Sequence, residues 1–398
     1  MKYHFSRALR DEDRTQLYSA LDYFDTTAYF ASADGKKELF GFDVLQQAMS
    51  PDNLTGDVVF GGCAFDDQLI INTQLMNGTW FVPKIFVTVD DHFIKFESNT
   101  HENFEAWLTM FKQRETAPLS SRDVTEEKDW LRRTQQLIDT LITSDTLKKV
   151  VFGRQKQYQL SDVLDVSRLI TALKIQKNTY RFILKQHHEL FVSATPERLV
   201  KVMNGGQLET AAVAGTIRRG TTVSEDIALG QSLRNSAKNR QEHQYVVDNI
   251  LQKLQNVTTE LVVPEKPKVL SNRQVQHLYT PINARINSPY GVVDIMRRLH
   301  PTPALGGVPQ EEAQQYIRQH EKNPRGLFAA PIGYYTANNT GEFIIGIRSM
   351  YVNQKTHLAT LFAGAGIVAD SNAAQELQET NLKFEPMRQL LRDYANGN

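Results

Sequence analysis

Apolar residues recur along this chain with two periods, alternating in some stretches and spaced by three or four in others. Up to about residue 120 the pattern is mostly that of strands. Phe86-Val87-Thr88-Val89, Asp90-Asp91 and Phe93-Ile94-Lys95-Phe96 predict a hairpin with an acidic turn, and Asp34-Gly35 and Asn77-Gly78 are further turn signals. Thr134, Leu137, Ile138, Leu141 and Ile142 then recur at helical spacing behind the acidic start Glu126-Glu127. Strand-like runs resume at 150–152, 180–184 and 190–192, the last two joined by His187-His188. Asn204-Gly205-Gly206 joins 199–203 to 208–213 as another hairpin. A long helix is expected over 225–255, with Val246, Val247, Ile250, Leu251 and Leu254 as its buried stripe. In a C-terminal helix Leu377, Thr380, Phe384, Met387 and Leu391 form the core face, and Pro386 is expected to kink or reset it. Hairpins make neighbouring strands antiparallel. The pattern therefore predicts an α+β fold, antiparallel sheet with helices packed against it, and not a doubly wound parallel sheet.

Composition narrows the function classes. A chain of 398 residues can bury a large core, and length alone would permit two or three domains. The best linker candidate, 116–123, is too short to mark separate units, so the chain reads as one domain over 1–398. Within it, 1–120 is a mostly strand subregion and 125–398 the part that carries the motifs. The 45 basic and 45 acidic residues cancel, which points to neither nucleic acid nor a membrane surface as partner. Cys63 is the one cysteine, so no intramolecular disulfide and no cysteine-rich zinc site is expected. The first residues lack the apolar stretch of a signal peptide, and no apolar run approaches the roughly 20 residues that span a bilayer. A soluble, cytoplasmic protein is expected.

Candidate chemistry gathers near the C-terminus. Ala363-Gly364-Ala365-Gly366-Ile367-Val368 reads as a small-residue loop that lets backbone N–H groups approach a ligand. Glu376, Glu379 and Lys383 follow at spacings that put them on one helix face. A second helix carries Lys238-Asn239-Arg240-Gln241-Glu242-His243, and two carboxylates from separate helices plus water suit Mg²⁺. Alone, Glu376 and Glu379 would more often be a solvated acidic pair. Lys149 heads a buried-looking strand, where a lysine is usually solvated but beside a dry site can be held neutral as a base. Glu197 sits where a strand ends at Pro196, and on pattern alone a capping role is favoured. His277 reads as a hydrogen-bonded core histidine. Arg348 closes an alternating apolar strand and either binds a carboxylate or marks a sheet edge. Ala214-Gly215-Thr216 and Gly306-Gly307 are tight-turn signals, and no phosphate-loop, dinucleotide or nucleophile-elbow motif is present.

Taken in order, these fragments resemble the chorismate-binding enzyme family, and within it the isochorismate synthases. The matching stations are Lys149-Val150-Val151, Ser193-Ala194-Thr195-Pro196-Glu197-Arg198-Leu199, Ala214-Gly215-Thr216 with Arg219-Gly220, and the segment 238–243. Then come Val275-Gln276-His277-Leu278, His300-Pro301-Thr302-Pro303-Ala304-Leu305-Gly306-Gly307, Arg325-Gly326-Leu327-Phe328, Pro331-Ile332-Gly333, Ile347-Arg348-Ser349 and the stretch 363–383. Gly61-Gly62-Cys63-Ala64-Phe65 extends the similarity into the N-terminal half.

The resemblance implies two stacked antiparallel β-sheets flanked by helices, and a Mg²⁺-dependent reaction on chorismate. In the family pattern Glu242 and Glu379 hold Mg²⁺, with Asn239 and Glu376 touching metal-bound waters. Lys149 is the general base for water attacking ring carbon 2, and Glu197 the general acid for the hydroxyl leaving carbon 4. Arg348, Lys383 and N–H groups near Gly364 and Gly366 grip carboxylates. His277, Thr302, Ala304, Leu305, Phe328 and the turn Ala214-Gly215-Thr216 surround the substrate. Ala214 stands where aminodeoxychorismate synthases carry a lysine nucleophile, and Ala304 where anthranilate and salicylate synthases have threonine. Departures are Phe328 for a tyrosine, Ala211 for an acid and Gly153 for alanine or serine. The resemblance thus implies an isomerase serving menaquinone or siderophore biosynthesis, working as a monomer without a glutaminase subunit. A salicylate synthase that also eliminates pyruvate, and a non-catalytic chorismate-binding subunit, are the alternatives.

Overall fold

Successive residues of a strand point to opposite faces, so a strand buried at every position can serve two cores at once. Thr26–Ala31 does this: Ala28 and Phe30 enter one core, Tyr29 and Ala31 the other. The computed structural model describes residues 2–112, 119–271 and 275–395. Their strands form one hydrogen-bonded network in which every pairing is antiparallel.

Two runs of strands share the long strand Gly78–Val89. Its second half pairs with Phe93–Ser98, and through Glu38–Ala48 it leads to Thr26–Ala31, Tyr180–Gln186, Glu189–Thr195, Ser349–Asn353, Leu358–Val368 and Lys149–Leu160. Its first half pairs with Val58–Cys63 and leads to Pro331–Thr336, Gly341–Ile345, Arg198–Val202, Gln207–Arg218 and Val275–Ile286. Phe182, Phe191 and Phe362 of the first run meet Phe60, Val200, Ile332 and Phe343 of the second in a common core. The expected stacking of two antiparallel layers is therefore present, with the layers joined through one strand. The outer face of the first run is covered by Asp13–Tyr23, Val166–Leu173 and Ala373–Ala395, which supply Leu17, Leu169, Phe384 and Met387 to the second core. N-terminal and C-terminal parts of the sequence thus interleave in both layers.

The predicted hairpins at 86–96, 180–192 and 199–213 are all present. Five expectations need correction. The 225–255 helix is two, Val223–Asn235 and Ala237–Leu254, broken at Ser236, whose hydroxyl accepts the Asn239 N–H and caps the second. The linker 116–123 lies partly outside the described residues, and its end belongs to a strand, Ser121–Glu126, paired with Lys149–Leu160. Ile142 is exposed, because the buried face of Trp130–Thr143 is formed by Trp130, Arg133, Thr134, Leu137, Ile138 and Leu141. Ala363–Val368 is the end of the strand Leu358–Val368, not a loop. The last helix continues through Pro386 without resetting.

Candidate active site

A cavity of about 920 Å³ opens where the strand ends Lys149, Glu197 and Ala363–Val368 meet the helices Ala237–Leu254 and Ala373–Ala395. Lys149, Glu197, Ala214, Gly215, Thr216, Asn239, Glu242, His277, Ala304, Leu305, Phe328, Arg348, Gly364, Gly366, Glu376, Glu379 and Lys383 all line it. Of the residues singled out from sequence, Thr302 alone is not on the wall. It is buried behind it, where its backbone carbonyl accepts the Leu305 and Gly306 N–H groups, so it shapes the wall through Leu305. Its hydroxyl has no partner among the described residues.

Two lysine–carboxylate pairs stand in the cavity. Lys149 Nζ lies 2.7 Å from Glu242 Oε1, and Lys383 Nζ lies 2.6 Å from Glu379 Oε1 while also donating to Gly364 O at 2.8 Å. Helical spacing puts Glu376, Glu379 and Lys383 on the cavity side, while Thr380, Phe384 and Met387 are buried in the opposite direction. Burial, and then repulsion from Glu379, raises the Glu376 carboxyl above its ordinary range. Lys383 holds the Glu379 carboxyl down against its own burial. Crowded acidic oxygens of this kind are donors for a hard cation. Among the described residues no three or more His, Cys, Asp or Glu cluster as a ready-made ligand set. Mg²⁺ does not need one: it keeps several waters and takes one or two carboxylates, with the rest of its ligands from substrate. Glu242 and Glu379, with Asn239 and Glu376 one turn earlier on each helix, fit that pattern.

Glu197 follows the strand Glu189–Thr195, its N–H donating to Thr195 Oγ1 at 3.1 Å. Among the described residues nothing hydrogen-bonds its carboxylate, so the capping role favoured by pattern is not the one it has. The side chain faces the cavity from deep in the protein. That burial pushes its carboxyl up to about 7, although Arg348, Lys383 and Lys149 nearby oppose the shift. A protonated carboxylic acid is thereby available near neutral pH. His277, deep in the same wall and 3.0 Å from Thr216 Oγ1, is pushed down to about 4 by burial and by Arg348 and Lys383, so it is a neutral imidazole at pH 7.

Arg348 does not close a strand. It lies between Gly341–Ile345 and Ser349–Asn353 with φ of 48°, in a bend held by Ala194 N–H donating to Arg348 O and by Ser193 Oγ donating to Ile347 O. That bend turns the guanidinium toward the cavity. The backbone of the small-residue strand also faces it. In an antiparallel ladder a residue's N–H and C=O point to the same side. Gly364 O is taken by Lys383, so the N–H groups of Gly364 and, two residues on, Gly366 point away from the neighbouring strand. A Cβ at 366 would stand 3.0 Å from Lys149 Cε, so any larger residue there would have to displace the lysine. At 215, φ is 75° and the backbone touches Asn239, so that turn also sets the helix bearing Glu242.

Lys238, Gln241 and Tyr245 also line the cavity and were not singled out from sequence. For two of them the signal is in the spacing: Lys238 and Tyr245 stand four residues before and three after Glu242, on its side of the helix.

The sequence matches the family model for chorismate binding enzymes over residues 25–392. The chain belongs to the chorismate-binding enzyme family. It is 32% identical over 366 residues to isochorismate synthase MenF of Bacillus subtilis, covering 87% of this chain and 77% of that protein. It is 38% identical over 267 residues to the salicylate biosynthesis isochorismate synthase of Pseudomonas aeruginosa, covering 67% of this chain and only 55% of that longer protein. The solved structure of MenF, the menaquinone-specific isochorismate synthase from Escherichia coli, superposes with a TM-score of 0.83 at 23% identity, covering 98% of this chain and 95% of that one. At that identity the likeness speaks to the fold, and it makes this chorismate-binding chain an α+β protein of the expected architecture. Among the described residues no helix is long and apolar enough to cross a membrane.

Proposed function

We propose that this chain is an isochorismate synthase, a Mg²⁺-dependent isomerase that interconverts chorismate and isochorismate and serves menaquinone or siderophore biosynthesis. The observation that carries the reading is that one cavity holds a lysine, a carboxyl able to stay protonated near pH 7, and a set of acidic oxygens together. The isochorismate synthases among its relatives support it. The same reading takes the whole chain as one chorismate-binding domain, working in the cytoplasm as a monomer.

When bound, Mg²⁺ on Glu242 and Glu379 would neutralise the ring carboxylate and fix the ring. Arg348 and the outward N–H groups of Gly364 and Gly366 grip carboxylates, including that of the enolpyruvyl arm. Lys149 takes a proton from the water that attacks carbon 2, which requires it to leave Glu242 first. Glu197 gives its proton to the carbon 4 hydroxyl, which departs as water while the ring double bonds shift. One water enters and one leaves, so the product is an isomer. Neutral His277 leaves Glu197 as the acid of choice. Ala214 has no amine to attack the ring, which supports water as nucleophile over a covalent lysine route, and Ala304 supports stopping before pyruvate elimination.

Lys149→Ala and Glu197→Gln should each cut turnover by about 100-fold or more while the far-ultraviolet circular dichroism stays native. Near wild-type rates in either variant would reject the assigned role.

A further inference from the structure

Arg154 sits on the same strand as Lys149, five residues on, and is almost fully buried. Its planar guanidinium spends its donors on two other elements. Nη1 donates to Glu126 Oε1 at 2.8 Å, Nε to Thr380 Oγ1 at 2.9 Å, and Nη2 to Asn381 Oδ1 at 2.5 Å. It is stacked between the rings of Trp130 and Phe384, at 5.4 and 5.0 Å. Thr380 and Asn381 directly follow Glu379, and the Thr380 hydroxyl donates its own hydrogen bond to Leu377 O.

A buried cation satisfied by one carboxylate, one hydroxyl and one amide is costly to assemble for stability alone, since apolar packing of similar volume would do as well. What the arrangement does specifically is join the strand bearing Lys149 to the helix bearing Glu376, Glu379 and Lys383. A rigid fork fixes both the distance and the rotation of that helix, which a lysine's single flexible ammonium would not.

We propose that Arg154 is a positioning residue, holding the Glu379 helix in the register at which its carboxylates and Glu242 together accept a divalent cation. This rests on reading Glu379 as a metal ligand. Groups that orient metal ligands from behind commonly change metal affinity about 10- to 100-fold when removed, and Arg154 holds the two residues that directly follow Glu379.

The test is Mn²⁺ binding to the purified full chain, read by electron paramagnetic resonance with and without chorismate, alongside thermal unfolding. Arg154→Met should weaken Mn²⁺ binding by about 10- to 100-fold. Arg154→Lys, which keeps the charge and loses the fork, should remain several-fold weak. Asn381 is exposed, so Asn381→Ala removes one strut with little risk to folding and should weaken Mn²⁺ binding several-fold with an almost unchanged unfolding temperature. Wild-type Mn²⁺ affinity in folded Arg154→Met overturns the proposal. If that variant does not fold, wild-type affinity in both Asn381→Ala and Thr380→Val overturns it instead. Glu379→Ala is the control for the underlying reading: undiminished Mn²⁺ binding there would remove the metal assignment, and this proposal with it.

Discussion

Glu197 and His277 share one wall of the cavity, yet burial drives them in opposite directions. Each is pushed toward its neutral form, which raises a carboxyl and lowers an imidazole. The consequence is a pH signature. With Glu197 at about 7 and His277 at about 4, the loss of kcat/KM on the alkaline side belongs to Glu197. The fraction of enzyme that carries the protonated acid is full below that value and falls about tenfold per pH unit above it. A pH profile of wild type should show this limb near 7, and the residual activity of Glu197→Gln should lack it; a limb surviving unchanged in that variant would assign the acid elsewhere. Glycine positions give a second test at this scale. A methyl at 366 meets Lys149 at 3.0 Å, whereas at 364 the nearest atom is Phe152 O at 3.4 Å, an ordinary contact. Gly366→Ala should therefore cost about tenfold or more in kcat by displacing the lysine, and Gly364→Ala much less. Equal losses in steady-state assays would show that crowding of Lys149 is not the cause. The departure at Gly153 also has a local reason: its N–H donates to Glu321 Oε1 at 2.6 Å, and a Cβ there would stand 2.9 Å from that oxygen.

Elements position these residues through their ends and breaks, and ends are where the sequence was least legible. The faces of Trp130–Thr143 and Ala373–Ala395 could be read from period, apart from Ile142 at the end of the first, because packing there follows the stripe. The break at Ser236 could not. Residues 234–241 are nearly all polar, so nothing apolar marks where one stripe stops and another starts. The break matters, since Ser236 starts the helix that presents Asn239 and Glu242. Ser236→Ala should cost about 1 kcal/mol of stability through the lost cap, measured by urea unfolding. It should also raise the Mg²⁺ concentration needed for half-maximal rate, and an unchanged metal requirement would show that the cap serves the fold only. Ala363–Val368 reads as a loop from sequence because glycine and alanine are poor strand formers. Pairing along the whole of Lys149–Leu160 overrides that preference. Arg348 reads as a strand end because its left-handed φ is imposed by contacts with Glu189–Thr195, 154 residues away in sequence and invisible to local pattern.

At the scale of the whole molecule, the site exists only because distant segments are brought to one place by the two-layer sheet. Lys149 and Glu242 are 93 residues apart and touch. No local pattern predicts such a contact, which is why the individual motifs were weak and only their order carried the resemblance. The antiparallel α+β class was legible, because hairpins are local. The sharing of Gly78–Val89 between both layers was not, because it depends on which half of one long strand meets which partner. The account as a whole is tested by a single incubation of the purified chain, without any added protein, with chorismate and Mg²⁺, followed by chromatography of the products. Isochorismate in equilibrium with chorismate is the expected result. Salicylate with stoichiometric pyruvate, or no conversion at all until a partner subunit is added, would contradict it.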